Sequence, residues 1–378
     1  MILLSNGGSN AHRSRTRPDT LVAGTVDGIA VLARSDTGWD VRHRALAGCH
    51  VAAVTAAADG TLFAATHGIG VARSRDRGTS WEWTNTGIAH FDLWSARAGI
   101  LHGRDVVLAG ALPAHLYLSE DNGGSWRELP ALRRVDSIAE WCFPPPPRIG
   151  HVKDIVIDGD RLIVGIEIGA LLVSDDFGAS FRELPVVPLV AERDIHRVLV
   201  HPARPDRIML ANGLVGVMTS EDRGQTWRKN PMPAEANYPD PMTVHPDDPD
   251  LVFLTAGVGW PQHWYKSGRA RGKLFRSRDA GQTWTRLLGG LPNGQRAIFG
   301  ALTIAAWDGG FGLYAGDTDG QIFESVDGGE SWTIVADVAA ISKGDFHRGL
   351  AKDRGRLAAV DDIVITPSAA ARIDAFEA

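Results

Sequence analysis

The sequence predicts an all-β fold, a seven-bladed β-propeller, and three observations support that class. A short phrase recurs six times, starting at residues 74, 119, 174, 220, 277 and 325. The copies start between 45 and 57 residues apart, a period typical of one small strand unit repeated around a ring. Each unit contains three or four short apolar runs separated by turn residues, as expected for a β-meander.

The repeated phrase has the composition of a tight turn between two strands. Its first copy reads SRDRGTSW at residues 74–81. The aspartate is suited to accept hydrogen bonds from nearby backbone N–H groups, and the glycine to adopt the positive φ of such a turn. The closing aromatic residue is expected to pack between neighbouring sheets. A calcium loop is the alternative, but one carboxylate per turn falls far short of the six to eight oxygens that calcium takes.

The fourth unit shows the strand plan most clearly. Its runs at 151–158, 161–167, 170–174 and 180–184 predict four strands, which we term A to D. A degenerate seventh copy at 20–41 supplies strands B, C and D, with Asp36, Gly38 and Trp39 in an incomplete version of the turn. Its strand A must come from the run ILLS near the start or from DIVIT at 362–366. We therefore expect residues 1–378 to form a single propeller closed by a strand from a chain terminus, with six or eight blades as the alternatives.

Composition and charge narrow the class of partner. The formal net charge is −6, from 39 basic and 45 acidic residues, and no block of like charge stands out. Neither a nucleic acid nor a membrane surface is therefore an expected partner. Two cysteines give no disulfide framework. The first residues lack the apolar core of a signal peptide, so a cytoplasmic location is the expectation.

The repeated phrase resembles the Asp-box, also called the BNR repeat. Proteins with this repeat include sialidases, some plant-cell-wall glycosidases, sortilin-type receptors and photosystem assembly factors. The resemblance implies a β-propeller in which each box joins strands C and D of a blade. Arg148 and Ile149 are followed by Gly150 rather than the proline of the sialidase arginine element, so a typical sialidase is not expected. The stretches at 143–155, 165–176 and 194–202 are similar to bacterial Asp-box proteins termed sialidase-like or glycosyl-hydrolase-like, whose activity is not established.

The meander predicts which end of the ring holds a functional site. A–B and C–D turns share one end, which holds all the repeated turns, while B–C turns and D-to-A crossovers share the other end, which we term the open face. The two longest insertions, 131–150 and 257–272, fall on the open face. Long loops on a rigid scaffold are where binding sites usually lie. Eight of the 13 histidines also map to this face: His50, His67, His90, His115, His151, His196, His263 and His347.

Imidazoles from several blades, with carboxylates beside them, are suited to bind one divalent transition metal such as Zn, Fe, Cu or Ni. The expected metal ligands are His67, His115, His151 and His196, because strand starts and B–C turns lie nearest the axis. Glu167 and Asp194 are the expected catalytic carboxylates, acting as general base or by orienting the ligands. A single loop histidine is more often a hydrogen-bonded structural residue than a ligand, so the metal hypothesis depends on several converging.

The expected ligand is a small molecule or glycan, contacted by Tyr238, Trp260, His263 and Asp317. Three functions stay open at this level. One is a hydrolase or lyase with a His/Glu centre that holds a metal. The second is a non-catalytic scaffold that binds a protein or peptide partner. The third is a glycosidase that uses carboxylates alone, drawn from Glu140, Glu167 and Asp194.

Overall fold

The chain folds as a seven-bladed β-propeller, which confirms the predicted fold class. The computed structural model describes residues 1–36, 38–143, 148–233, 235–293 and 296–342. The predicted run at 362–366, His347 and the four prolines at 144–147 lie outside the described residues. Seven sheets of four or five strands follow one another around the ring.

The strands are numbered in chain order. An amino-terminal segment holds β1 (Ile2–Leu4) and β2 (Ala11–Arg13). Blade 1 continues with β3 (Thr20–Thr25), β4 (Gly28–Ser35) and β5 (Gly38–Ala45). Blade 2 contains β6 (Val51–Ala56), β7 (Leu62–Thr66), β8 (Gly70–Ser74) and β9 (Glu82–Trp83). Blade 3 contains β10 (Asp92–Leu101), β11 (Arg104–Leu112), β12 (His115–Ser119) and β13 (Arg127–Glu128).

The other four blades follow the same plan. Blade 4 contains β14 (His151–Asp158), β15 (Arg161–Glu167), β16 (Leu171–Ser174) and β17 (Arg182–Leu184). Blade 5 contains β18 (Ile195–His201), β19 (Arg204–Asn212), β20 (Gly216–Ser220) and β21 (Arg228–Lys229). Blade 6 contains β22 (Tyr238–His245), β23 (Asp248–Gly257), β24 (Lys273–Ser277) and β25 (Thr285–Leu287). Blade 7 contains β26 (Phe299–Trp307), β27 (Gly310–Asp317), β28 (Gln321–Ser325) and β29 (Thr333–Asp337).

The two long insertions contain short helices that the sequence did not predict. The crossover at 131–150 includes the 3-10 turns Pro130–Arg134 and Asp136–Glu140, and Val190–Glu192 forms a third between blades 4 and 5. The segment at 257–272 contains helix α1 (Pro261–Ser267). Pro261 starts α1 at a position where no N–H is needed, and Gly268 ends it in the left-handed region. Among the described residues, no helix is long and apolar enough to cross a membrane.

The core is divided among the seven interfaces between neighbouring blades. One large hydrophobic cluster fills each interface, including the one that joins blade 7 to blade 1. In β15, Leu162, Val164 and Ile166 face blade 3, whereas Ile163 faces blade 5. Both faces of each inner strand are therefore buried, which explains why these strands read as continuous apolar runs.

The repeated turns form the hydrogen bonds that their sequence predicts. In blade 4, the Ser174 hydroxyl donates to Asp176 Oδ1 (2.8 Å) and accepts from the Gly178 N–H (2.9 Å). Asp176 also accepts from the backbone N–H and the hydroxyl of Ser180 (2.9 and 2.6 Å). The same contacts recur in the turn of Asp121, where they lower the pKa of that carboxyl to about 2 because they stabilise its ionised form.

The amino-terminal segment closes the ring and fills its centre. Strand β1 pairs in parallel with β3 as the innermost strand of blade 1, and β2 pairs in parallel with β26 of blade 7. Residues 5–10 lie between these strands and contact the innermost strand of every other blade, for example through Gly7 N–H to Ala52 O (2.9 Å) and Asn10 Nδ2 to Met242 O (2.9 Å). Because six different inner strands meet this segment, it lies on the propeller axis and blocks the central channel.

Close approach on the axis requires glycine at two positions of this segment. A Cβ on Gly7 would lie 2.1 Å from the carbonyl oxygen of Trp94, and one on Gly8 would lie 2.1 Å from that of Val54. Those oxygens belong to backbone of β10 and β6 that cannot move independently of the blades. Any larger residue would push the segment off the axis.

Charged side chains inside the channel hold this segment in place. Arg197 donates to the backbone oxygen of Asn6 (2.5 Å) and to Asp154 (3.0 Å), and Lys153 Nζ contacts the Asn6 side chain. Arg97 also contacts Asp154 (3.5 Å). Two guanidinium groups thus share the buried carboxylate of Asp154, and oxygen atoms of the segment accept hydrogen bonds from Arg197 and Lys153, which would otherwise be buried with fewer partners.

We predict that Asp176→Ala destabilises the protein by about 1 kcal/mol, because three hydrogen bonds to the carboxylate are lost. Asp175→Ala is the matched control, since Asp175 is exposed and only approaches Arg182 (3.6 Å). Urea denaturation of both variants provides the measurement. Equal unfolding free energies for the two variants would contradict the structural role of the repeated turns.

Candidate functional site

Four predicted site residues meet at the open face, at the blocked end of the channel. His151 is the first residue of β14, Glu167 is the last residue of β15, and the two are paired across the sheet. Asp194 precedes β18 and forms an isolated backbone bridge with Glu167. His196 is the second residue of β18. We term these four residues the acid–imidazole cluster.

A repeated β-bulge directs side chains toward this point. In each of blades 2 to 7 the register of the innermost strand shifts near its open-face end. Trp94, Lys153 and His196 occupy the bulged positions of β10, β14 and β18. A bulge inserts a residue without a ladder partner and turns its side chain out of the normal alternation. Val152 therefore packs in the hydrophobic core, whereas the next residue, Lys153, contacts the segment in the channel.

Three of the four residues in the acid–imidazole cluster have ligand atoms close enough to one another to bind one ion. One ligand atom from each of Glu167, Asp194 and His196 lies within 4.8 Å of the others. His196 Nε2 lies 3.1 Å from Asp194 Oδ1 and 3.6 Å from Glu167 Oε1. His151 Nε2 lies 3.2 Å from Glu167 Oε2. All four side chains are buried.

The hydrogen bonds of His196 determine which of its nitrogens faces the carboxylates. Nδ1 lies 2.6 Å from the carbonyl oxygen of Pro239, and because a carbonyl only accepts, Nδ1 bears the proton. A neutral His196 therefore directs the lone pair of Nε2 at two carboxylates. Two acceptors facing each other at 3.1 Å require a proton or a cation between them. The Tyr238 hydroxyl lies 3.3 Å from Nε2 and donates a hydrogen bond to it when the ring is neutral.

Two further predicted metal ligands lie apart from this cluster. The ring of Trp94 contacts both His67 and His151, at 4.6 Å and 3.8 Å between ring centroids. His115 stacks on His90 (3.8 Å) and its Nδ1 contacts Pro113 O (3.0 Å). Burial lowers the pKa of His115. The group of three within 4.8 Å contains neither residue, so their role as ligands stays a prediction.

The predicted substrate-binding residues are spread over three positions. Tyr238 is buried beside His196, with Trp264 of α1 packed on its ring at 5.1 Å. Trp260 and His263 lie exposed on or next to α1. Asp317 lies in the B–C turn of blade 7, where it accepts the N–H groups of Asp319 and Gln321 (2.9 Å each). Contact of these residues with a substrate stays a prediction.

The sequence analysis missed two residues next to the cluster, Asp92 and Phe143. It also named Glu140 as a candidate carboxylate, which the structure places elsewhere. Asp92 accepts from His67 Nδ1 at 2.6 Å. As the first residue of β10, it occupies the same strand-start position as His151, and comparing the blades position by position would have found it. Phe143 packs on His151 (4.8 Å). Glu140 lines a separate surface cleft with Glu183 and Arg193.

Comparison with known proteins supports the fold more than any activity. A family model described as sortilin, neurotensin receptor 3 matches residues 169–293, less than half of the chain. No curated protein sequence matches the chain. An ancestral GH74 enzyme superposes with a TM-score of 0.59 at 16% identity, covering 76% of this chain and 38% of its own. The GH74 xyloglucanase of Xanthomonas campestris gives 0.54 at 17% identity, covering 76% of this chain and 45% of its own.

A third solved structure matches over nearly its full length. YCF48 bound to D1 peptide superposes with a TM-score of 0.52 at 14% identity, covering 87% of this chain and 93% of its own. The chain thus spans less than half the length of the two GH74 enzymes but most of YCF48. At these identities the likeness establishes a shared β-propeller fold.

We predict that Asp317 makes the unfolding free energy of the protein depend on pH. Burial raises the pKa of this carboxyl to about 6, against opposing backbone hydrogen bonds. The folded pKa exceeds the unfolded one, so the folded state binds the proton more tightly and the unfolding free energy falls, by about 2–3 kcal/mol, as pH rises from 4 to 6. Asp317→Asn should lose this part of the pH dependence, as measured by urea denaturation across that range. Asp105→Asn is the control, and its unfolding free energy should vary with pH as that of the wild type does. The same result for Asp317→Asn would contradict the role of Asp317.

Proposed function

We propose that this protein is an enzyme of hydrolase or lyase type that acts on a small molecule or glycan at the open face. The acid–imidazole cluster is its reaction centre and binds one divalent transition metal, Zn, Fe, Cu or Ni. Glu167, Asp194 and His196 are the proposed ligands, with His151 as a further ligand or as the partner of Glu167. The observation that supports this proposal most directly is the convergence of His196 Nε2 with two buried carboxylates, 3.1 Å from Asp194 Oδ1 and 3.6 Å from Glu167 Oε1.

The distances between the proposed ligand atoms support a shared ion. Ligands held about 2.0–2.2 Å from a zinc ion lie about 3.0–3.6 Å from one another, and the two Nε2–oxygen separations are 3.1 and 3.6 Å. The bond from Nδ1 to the Pro239 carbonyl is the kind of outer contact that fixes the ring of a metal-binding histidine. Imidazole suits all four metals, and zinc also binds the carboxylate oxygens of Asp and Glu.

The residues around the cluster divide the remaining chemistry. A bound metal would supply an activated water and would polarise a substrate oxygen. In this proposal Glu167 binds the metal through Oε1, which lies 3.6 Å from His196 Nε2. Its Oε2, 3.2 Å from His151 Nε2, accepts a proton that His151 shares. Trp94, Phe143 and Tyr238 pack around the imidazoles and exclude bulk water. The GH74 enzymes among the fold relatives make a glycan a reasonable substrate class, and the proposal extends to it on that basis.

We predict that protein purified without a histidine tag binds about one equivalent of metal. His196→Gln should weaken that binding by ~100-fold or more, because it removes a ligand. His115→Gln is the control and should retain the metal, since His115 stacks on His90 away from the cluster. Elemental analysis after dialysis with each of the four metals measures the stoichiometry. Absence of uptake in every case would reject the metal centre.

A glycosidase without metal is the second candidate, favoured by the spacing of Glu167 and Asp194. One oxygen of each lies within 4.8 Å of the other, which is below the roughly 5–5.5 Å separation of carboxyl groups in retaining enzymes and far below the roughly 6.5–9.5 Å of inverting ones. This mechanism predicts turnover of aryl-glycosides with retained anomeric configuration, insensitive to chelator and abolished in Glu167→Gln. NMR identifies the anomer that forms first. An inverted configuration would exclude this retaining mechanism.

A protein- or peptide-binding scaffold is the third candidate. Trp260 is 41% exposed next to α1, an arrangement suited to a partner surface. YCF48, a fold relative, was solved bound to a D1 peptide. Loss of a stable partner on Trp260→Ala, with metal content unchanged, would favour this alternative.

A further inference from the structure

Two buried polar atoms next to the acid–imidazole cluster lack a partner. His67 Nε2 and Trp94 Nε1 are both enclosed, and neither makes a hydrogen bond with any described residue. Their rings contact each other edge to face, 4.6 Å apart between centroids. Buried polar groups without a partner are rare in folded proteins and indicate that another molecule satisfies them. Two in contacting rings indicate one binding position.

The neutral ring of His67 and the indole of Trp94 have defined hydrogen-bonding roles. His67 Nδ1 lies 2.6 Å from Asp92 Oδ1 and donates a hydrogen bond to it, which leaves a lone pair on Nε2 of the neutral ring. The indole Nε1 of Trp94 is only a donor. The position therefore offers one acceptor and one donor.

We propose that His67 and Trp94 form a subsite for a hydroxyl group of a carbohydrate or polyol ligand. A hydroxyl donates its proton to His67 Nε2 and accepts from Trp94 Nε1, so it satisfies both atoms. A carboxylate or phosphate oxygen has no proton for Nε2, and an ammonium has no lone pair for Nε1. The subsite rests on the proposed function only for its location: Trp94 also stacks on His151, so the bound hydroxyl lies beside the acid–imidazole cluster.

The surroundings provide an approach for such a ligand. The side chains of His67 and Asp92 are 11% and 15% exposed, whereas those of His151 and His196 are fully enclosed. Ile69 and Phe91 flank this pair in sequence and are 40% and 42% exposed. The ring face of a sugar is apolar and packs on such side chains while its hydroxyl groups project from the edge. His67 thus lies at the outer edge of the site, where a sugar ring enters.

The test uses the indole ¹⁵N–¹H signal of Trp94, assigned by its loss in Trp94→Phe. The wild type is titrated separately with D-glucose, D-mannose and myo-inositol, and with 1,2-dimethoxyethane, which accepts hydrogen bonds but donates none. A saturable shift with at least one polyol, and none with the ether, is expected. Calorimetry should show at least tenfold weaker binding of that polyol to Trp94→Phe and to His67→Phe. Trp83→Phe is the control, since Trp83 is exposed elsewhere in blade 2.

Asp92→Asn separates a positioned hydrogen bond from simple packing. An asparagine can donate to Nδ1 and move the ring proton to Nε2, where it would oppose the donor of the hydroxyl. Polyol binding should weaken several-fold in this variant although the shape is kept. His67→Gln, which retains a terminal acceptor, replaces His67→Phe if the latter does not fold.

Three results would overturn the subsite. The first is the absence of a saturable shift with any polyol, which would mean that water alone occupies the position. The second is an equal shift with the ether, and the third is unchanged polyol affinity in Trp94→Phe. Metal content measured on the same samples separates this proposal from the proposed function. Polyol binding without metal keeps the subsite and rejects the metal centre, whereas metal binding without polyol binding does the opposite.

Discussion

Closure of the ring by the amino-terminal segment is the constraint on which the other features depend. The seven interfaces between blades are equivalent hydrophobic contacts, and each is completed only when both neighbouring sheets are present. Strand β1 supplies the innermost strand of blade 1, and its Ile2 and Leu4 join the cluster shared with blade 7. Without it, blade 1 would expose a strand edge at the join, where free N–H and C=O groups favour pairing with another chain.

Closure also decides where chemistry is possible. Residues 5–10 occupy the axis and bind Arg197 and Lys153, so the channel does not pass through the protein. The central channel is therefore closed below the open face. Polar side chains from different blades meet above the segment, and the surrounding aromatic rings remove them from water. In such surroundings an unshared lone pair or carboxylate is costly, which is why the orientation of His196 Nε2 and the environment of His67 are informative.

The acid–imidazole cluster and the pair formed by His67 and Trp94 differ in their hydrogen-bonding character. In the acid–imidazole cluster, two buried carboxylates converge on the imidazole of His196, and this concentration of negative charge is the basis for the proposed cation. At His67 and Trp94, one donor and one acceptor face the same space, so the position favours a neutral hydroxyl. Trp94 contacts both groups and places them side by side. The arrangement is that of a reaction centre with an adjoining ligand subsite, as proposed above.

The sequence by itself determined the ring, because the turn chemistry and the alternation of apolar residues are local and repeat within each unit. It also assigned Glu167, Asp194 and His196 to one face, since the position of a residue in a meander fixes the end at which it lies. The tertiary structure decided which of these side chains meet. His115 stacks on His90, and Asp92 binds His67, because neighbours across blades depend on strand bulges and loop paths that no short stretch of sequence specifies. The axial segment escaped prediction for the same reason: its glycines and asparagines have no periodicity, and only the assembled blades provide the groups that hold it.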